Sequence, residues 1–128
     1  MNPIIAARVF TVLIAGAIFF QLALVVGMPW GKVAWGGAFP GVLPPHMRVA
    51  SIGSAVLLLA LALVVLVRAG LIQSKWKSSS GKLAWVVVTY CSLGVIANAI
   101  TQSFWERVIW LPVTILLLGS SIVVARAR

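Results

Sequence analysis

The sequence predicts an all-α integral membrane protein, a bundle of four transmembrane helices, and three observations carry that prediction. The 128-residue chain is 62% hydrophobic and only 9% charged, with a mean hydropathy of +1.16, whereas soluble domains average about 45–50% apolar and about 25% charged residues. Four windows without a charge, 9–31, 49–67, 83–105 and 108–125, divide the chain. A helix rises about 1.5 Å per residue, so about 20 residues cross a ~30 Å hydrocarbon core, and each window is long enough. Runs such as 56–63 are apolar on every face, which is not the alternation of a membrane β-strand.

The first helix is expected over about 4–26. Its apolar stretch exceeds the 7–15 residues of a signal-peptide core, and no clear small-residue cleavage site precedes Met28-Pro29-Trp30, so it reads as a retained span. Residues 27–48 then form a loop containing Pro29-Trp30-Gly31, Ala34-Trp35-Gly36-Gly37 and Pro44-Pro45-His46. Glycine permits left-handed turns, proline stiffens the chain, and tryptophan suits the headgroup region. An ordered lid over the helix ends is expected, serving as an interfacial plug, as a cover for a ligand or as a dock for a partner. The second helix is expected over about 49–68, and Ser78-Ser79-Ser80-Gly81 reads as a flexible linker before the third, over about 83–102. Ser103-Phe104-Trp105-Glu106 has capping-box spacing and should start the fourth helix, over about 104–125, with Pro112 bending it. In that box Ser103 accepts from the Glu106 N–H and the Glu106 carboxylate reaches back. Arg48 is the expected ion-pair partner of Glu106, since Arg107 adjoins it and points elsewhere.

Loop charge sets the expected direction. With both termini cytoplasmic, Arg8, Arg68, Lys75, Lys77, Lys82, Arg126 and Arg128 lie inside, while Lys32, Arg48 and Arg107 lie outside with Glu106. That asymmetry follows the positive-inside rule, with Arg8 snorkelling to the interface. Trp30, Trp35, Trp105 and Trp110 fall near the outer boundary, and Trp76 and Trp85 near the inner one, as interfacial belts prefer. The net charge of +9 therefore speaks for orientation in a membrane, not for nucleic acid, whose readers gather basic residues on a solvated face. The basic inner loop suits anionic lipid headgroups.

Composition excludes much chemistry. Glu106 is the one acidic residue, and Cys91 and His46 are single. Paired-carboxylate hydrolysis, two-metal phosphoryl transfer, calcium loops, an internal disulfide and the usual zinc sites all need more. No enzyme, cofactor or metal is expected; Glu106 with His46 could form at most a sparse acid–base pair. Cys91 reads as a small buried hydrophobe.

Helix three is the polar one. Tyr90, Gly94, Asn98 and Thr101 share a face, and small or hydrogen-bonding residues on one face mark helix packing, since lipid cannot satisfy them. Gln21 and Asn98 each lie about five residues from an outer helix end, some ~7–8 Å deep. Either they bond to each other, or they point into a shared pocket beneath the Trp30–Trp35 loop, with His46, Arg48, Thr101 and Glu106 about its mouth. The ligand or partner candidates are thus Gln21, Trp30, Trp35, His46, Arg48, Asn98, Thr101 and Glu106.

Pro29-Trp30-Gly31 with Ala34-Trp35-Gly36-Gly37, and the stretch from Asn98 through Thr101, Ser103, Glu106 and Arg107 to Trp110-Leu111-Pro112-Val113, resemble motifs of a group of small uncharacterised four-helix bacterial inner-membrane proteins. The resemblance covers most of the chain and implies the fold and a bacterial inner membrane, with no activity attached. Small multidrug-resistance exporters share the length but carry a glutamate in the first helix, where this chain has no acid. Dual-topology fluoride channels share the length too, but their Asn and Phe-rich motifs are missing and the charge bias opposes dual insertion. The expectation is a non-enzymatic membrane module, an accessory subunit or a binder of lipid or another apolar ligand in its outer half. The alternative is a channel or transporter built from an oligomer of such bundles. Membrane lipids, a homo-oligomer or a larger membrane complex are the expected partners.

Overall fold

The computed structural model describes residues 1–127 and consists of four helices, α1 (Pro3–Val25), α2 (Pro45–Arg68), α3 (Lys77–Ile100) and α4 (Phe104–Arg126). Each is long and apolar enough to cross a membrane. Arg128, counted above among the inner basic residues, lies outside the described residues. The helices run up and down in a ring in which α1 packs on α2 and α4, while α3 packs closely on α4 and less closely on α2. Large apolar side chains cover the exterior, Val12, Phe19 and Ile100 among them. In water that surface would be an aggregation hazard, and in lipid it is the solvated face.

Local chemistry sets the helix starts. Asn2 caps α1, its side chain accepting from Ile4 N at 2.7 Å, with Pro3 at the first helical position. Pro45 opens α2 in the same way, four residues before the expected start, because proline already holds a helical φ and has no N–H to leave unpaired. His46 and Arg48 therefore belong to the first turn of α2 and not to the loop.

The larger difference concerns α3. Its helix begins at Lys77, so Ser78-Ser79-Ser80-Gly81 forms its first turns and is not a linker. The Lys77 ammonium donates to the carbonyls of Val67 and Arg68 at 3.0 and 2.9 Å, capping the carboxyl end of α2 while anchoring the start of α3. Ser80 turns inward, fully buried, and donates to Lys77 O at 2.6 Å. The Arg68 guanidinium lies beside Gly81 and donates to the Ala127 carbonyl at the end of α4. Small residues here serve close packing, a use that composition alone does not distinguish from flexibility. At its other end α3 stops at Ile100, two residues early, because Thr101 is extended. α4 runs through Pro112 as one helix.

The main core occupies the Arg68 end of the bundle, where Phe10, Ile14, Leu61, Val65, Val87 and Val124 interlock. Cys91 lies among them, buried and free. A smaller cluster of Leu24, Ala34 and Leu43, with Phe20, Phe39 and Met47 against it, seats the α1–α2 loop on the opposite end.

Candidate functional site: a cavity beneath the first loop

The loop of residues 26–44 folds back on itself and on the helices. Gly31 N donates to Gly41 O at 2.9 Å, closing the loop at its base. A Cβ on Gly31 would lie 1.8 Å from the Phe39 carbonyl oxygen, so only glycine fits this crossing. Trp35 holds φ at +52°, a left-handed conformation that a bulky residue seldom adopts, followed by Gly36 and Gly37 in the same region. Such backbone persists where surrounding bonds determine it, and here they are visible. The Trp35 indole N–H donates to the buried Ser51 hydroxyl of α2 at 3.2 Å, and Gly36 N–H donates to Glu106 Oε2 of α4 at 2.9 Å.

Two further bonds fasten the loop to α4. Ser103 Oγ donates to Lys32 O at 2.5 Å, and the Trp110 indole N–H donates to Val33 O at 3.0 Å. Trp30 stacks on Phe20 of α1, with centroids 6.1 Å apart, and Phe20 meets Trp110 edge-on at 4.9 Å.

Glu106 does half of what its spacing predicts. Ser103 Oγ accepts from Glu106 N at 3.2 Å, the expected cap. The carboxylate does not reach back, because the Ser103 N–H is taken by Thr101 Oγ1 at 3.3 Å and the carboxylate spans instead to Gly36. Nor does Glu106 pair with Arg48: the Arg48 Nε donates to Leu43 O at 3.0 Å and its guanidinium lies against Gly27. Among the described residues the carboxylate has no ion-pair partner. It is buried, with the buried Thr101 hydroxyl as a second hydrogen-bonding neighbour.

Beneath this loop lies a cavity of about 270 Å³. Phe20, Trp35, Tyr90 and Trp110 supply aromatic walls, and Gln21, Ser54, Asn98, Glu106 and Thr114 the polar ones. A deeper lobe of about 150 Å³ shares Gln21, Tyr90, Asn98 and Trp110 and descends to Cys91 and Leu117. The cavity is not sealed at α3. The buried residues of α3 end at Cys91, and Tyr90 and Ala97 line the cavity while remaining exposed.

Gln21 and Asn98 share this cavity but do not bond to each other. Asn98 Nδ2 donates to Gly94 O at 2.8 Å in its own helix, and Gln21 Oε1 is shielded from solvent with no donor among the described residues. Of the sequence candidates, the structure brings Gln21, Trp35, Asn98 and Glu106 together around the cavity, with Thr101 behind Glu106. Trp30 covers Phe20 from outside, His46 is exposed and edge-on to Phe39 at 5.7 Å, and Arg48 binds the loop's own backbone, so these three do not line it.

Sequence reasoning missed Trp110, Thr114 and Ser54. Trp110 and Thr114 follow Glu106 at i+4 and i+8, one helical face, and that spacing was the available signal; Trp110 turns inward instead of joining an interfacial belt. No protein-family model matches the chain, and neither a curated protein nor a solved structure matches it.

Proposed function

We propose that this is a non-enzymatic, multi-pass membrane protein that binds a lipid or another apolar ligand in the cavity beneath the α1–α2 loop. The observation that carries the reading is Gln21 Oε1, a buried acceptor left without a donor in the wall of a cavity. Leaving such a group unpaired costs about 1–3 kcal/mol, and a ligand hydroxyl, amine or amide would recover it. The shape fits: mainly apolar and aromatic walls with a few polar groups orient a mainly apolar guest. Tyr90 and Ala97 line the cavity from exposed positions on α3, which supports entry of a membrane-dissolved molecule from that helix.

The positive-inside bias supports both termini inside and the loop and cavity in the outer half, and the motif resemblance supports a bacterial inner membrane. Cysteine placed at position 79 in a Cys91→Ser background should be protected from an impermeant reagent added outside; labelling there overturns this orientation. For the ligand, native mass spectrometry of gently solubilised protein should show a retained lipid-sized adduct. Ala97→Trp, which fills the mouth from an exposed position, should release it while thermal stability holds. A bare wild-type mass together with no thermal shift on adding membrane lipids would count against the reading.

A further inference from the structure

We propose that the group this cavity recognises is an organic ammonium, a protonated or quaternary amine bearing an apolar substituent. The inference rests on the reading above that the cavity takes a ligand, and it adds the chemistry of the ligand's head.

The first ground is charge. Glu106 is the only acidic residue of a chain with a net charge of +9, yet its carboxylate is buried in the cavity wall without a cationic partner among the described residues. No Lys, Arg or His lines the cavity. Of the three cations at this end, Arg48 holds Leu43 O, and Lys32 and Arg107 are exposed and form no ion pair with it among the described residues. A lone carboxylate in a low-dielectric wall favours a cation strongly and repels an anion.

The second ground is the aromatic lining. Phe20, Trp35, Tyr90 and Trp110 come from three helices and the loop to surround the same space. Aromatic faces attract cations through the ring quadrupole, tryptophan most strongly, and cages of this kind recognise quaternary ammonium groups. The indole N–H groups of both tryptophans are directed elsewhere, to Ser51 and Val33, so what remains for a ligand is their π surface.

The third ground is the solvent-shielded polar atom of the lining that has no partner among the described residues. The indole N–H groups, the Thr114 hydroxyl and the Asn98 amide nitrogen all donate within the protein. The shielded atom of this lining that remains without a partner is an acceptor, Gln21 Oε1. A protonated amine donates to it, whereas a quaternary one has no N–H and is favoured by the first two grounds alone; a carboxylate cannot donate and meets the charge of Glu106 as well. Below the polar rim the deeper lobe is walled by Ile14, Leu58, Leu61, Val113 and Leu117, which suits a narrow alkyl or aryl tail.

The test uses the full chain in nanodiscs of digalactosyldiacylglycerol, a lipid with neither charge nor amine, with empty discs as the partition blank. Octyltrimethylammonium, octanol and octanoate are titrated against tryptophan fluorescence. The ammonium should bind at least about tenfold more tightly than the alcohol or the acid, in keeping with a cation–π and charge gain above 1.4 kcal/mol. Glu106→Gln, which keeps an acceptor for Gly36 N–H, should reduce that preference, leaving the part owed to the aromatic faces. If the variant does not fold, the wild-type ranking decides alone.

Equal binding of octanol and octyltrimethylammonium, or a preference undiminished by Glu106→Gln, overturns the ammonium inference while the cavity stands as a ligand site. No binding of any probe overturns the ligand reading and this inference with it. Discs doped with phosphatidylethanolamine separate the sources. A weakened apparent affinity for octyltrimethylammonium there identifies a lipid headgroup as the occupant, and an unchanged one identifies a free amphiphilic amine.

Discussion

The two ends of this bundle are built to different ends. Toward Arg68 the helices interlock: Phe10 and Val124 are fully buried, Ile14, Val65 and Val87 nearly so, and Lys77, Ser80, Gly81 and Arg68 lock the helix termini together. Toward the loop the same four helices part around a cavity, and the contacts holding that end together come from a strap of irregular chain. A close-packed interior tolerates little change in volume, whereas a hollow one has already given up that packing. The difference separates a half that holds the fold from a half available for recognition.

The largest effect that could break this comparison is truncation in the packed half. Phe10→Ala should cost about 3–5 kcal/mol, read by reversible unfolding in detergent, since a fully buried ring is removed from the main core. Tyr90→Ala, at the cavity rim and partly exposed, should cost about 1 kcal/mol or less. Comparable losses for the two would show that the loop end is packed as tightly as the other and that the comparison fails.

Next is the strap itself. Gly31→Ala places a methyl group into the Phe39 carbonyl, and no side-chain adjustment relieves a clash with backbone. The loop base must open, at about 1–3 kcal/mol, and limited proteolysis between residues 26 and 44 should accelerate while the helices stay intact. Unchanged proteolysis would mean the loop does not depend on the Gly31–Gly41 crossing.

How far the sequence reveals each half follows from the kind of contact that builds it. The four helices are legible because span length and uninterrupted apolarity are local properties. The Ser103 cap is legible for the same reason, its two partners lying three residues apart. The start of α3 is not, because Ser78-Ser79-Ser80-Gly81 has the composition of a linker, while the bonds that anchor its helical start run from Lys77 across the turn to Val67 and Arg68. The site is legible in part: helical spacing groups Tyr90, Gly94 and Asn98, and depth arithmetic brings Gln21 to their level. The destination of the Glu106 carboxylate is not, since Gly36 N–H lies 70 residues away and offers only a backbone donor, which leaves no trace in residue type.

That long-range bond gives a smaller and sharper test. Gly36 is exposed, so water can replace a lost partner, and Glu106→Ala should cost about 0.5–1.5 kcal/mol, the net worth of an ordinary hydrogen bond. Glu106→Gln retains an acceptor and should cost less than Ala. If both variants are equally and fully stable in thermal unfolding, the carboxylate does not hold the loop and the Ser103 cap alone starts α4.

The smallest expected effect is the most discriminating, because its sign is reversed. Gln21 reaches into the hollow half with a shielded oxygen that no donor meets, so in the unliganded protein it is a cost. Replacing it with leucine removes the unpaired group at nearly the same volume and adds apolar surface in an apolar setting. Replacing a buried polar group with a same-shaped apolar one is close to neutral or stabilising once its partner is absent. Gln21→Leu should therefore leave the unfolding free energy unchanged or raise it by up to about 1 kcal/mol, in contrast to Phe10→Ala, Gly31→Ala and Glu106→Ala. The same variant should weaken binding of any hydrogen-bond-donating ligand, so stability and binding move in opposite directions. A gain in one with a loss in the other is the signature of a residue kept for recognition. A clear loss of stability on Gln21→Leu would instead show that this side chain holds helices together, and the loop end would then be a second structural half.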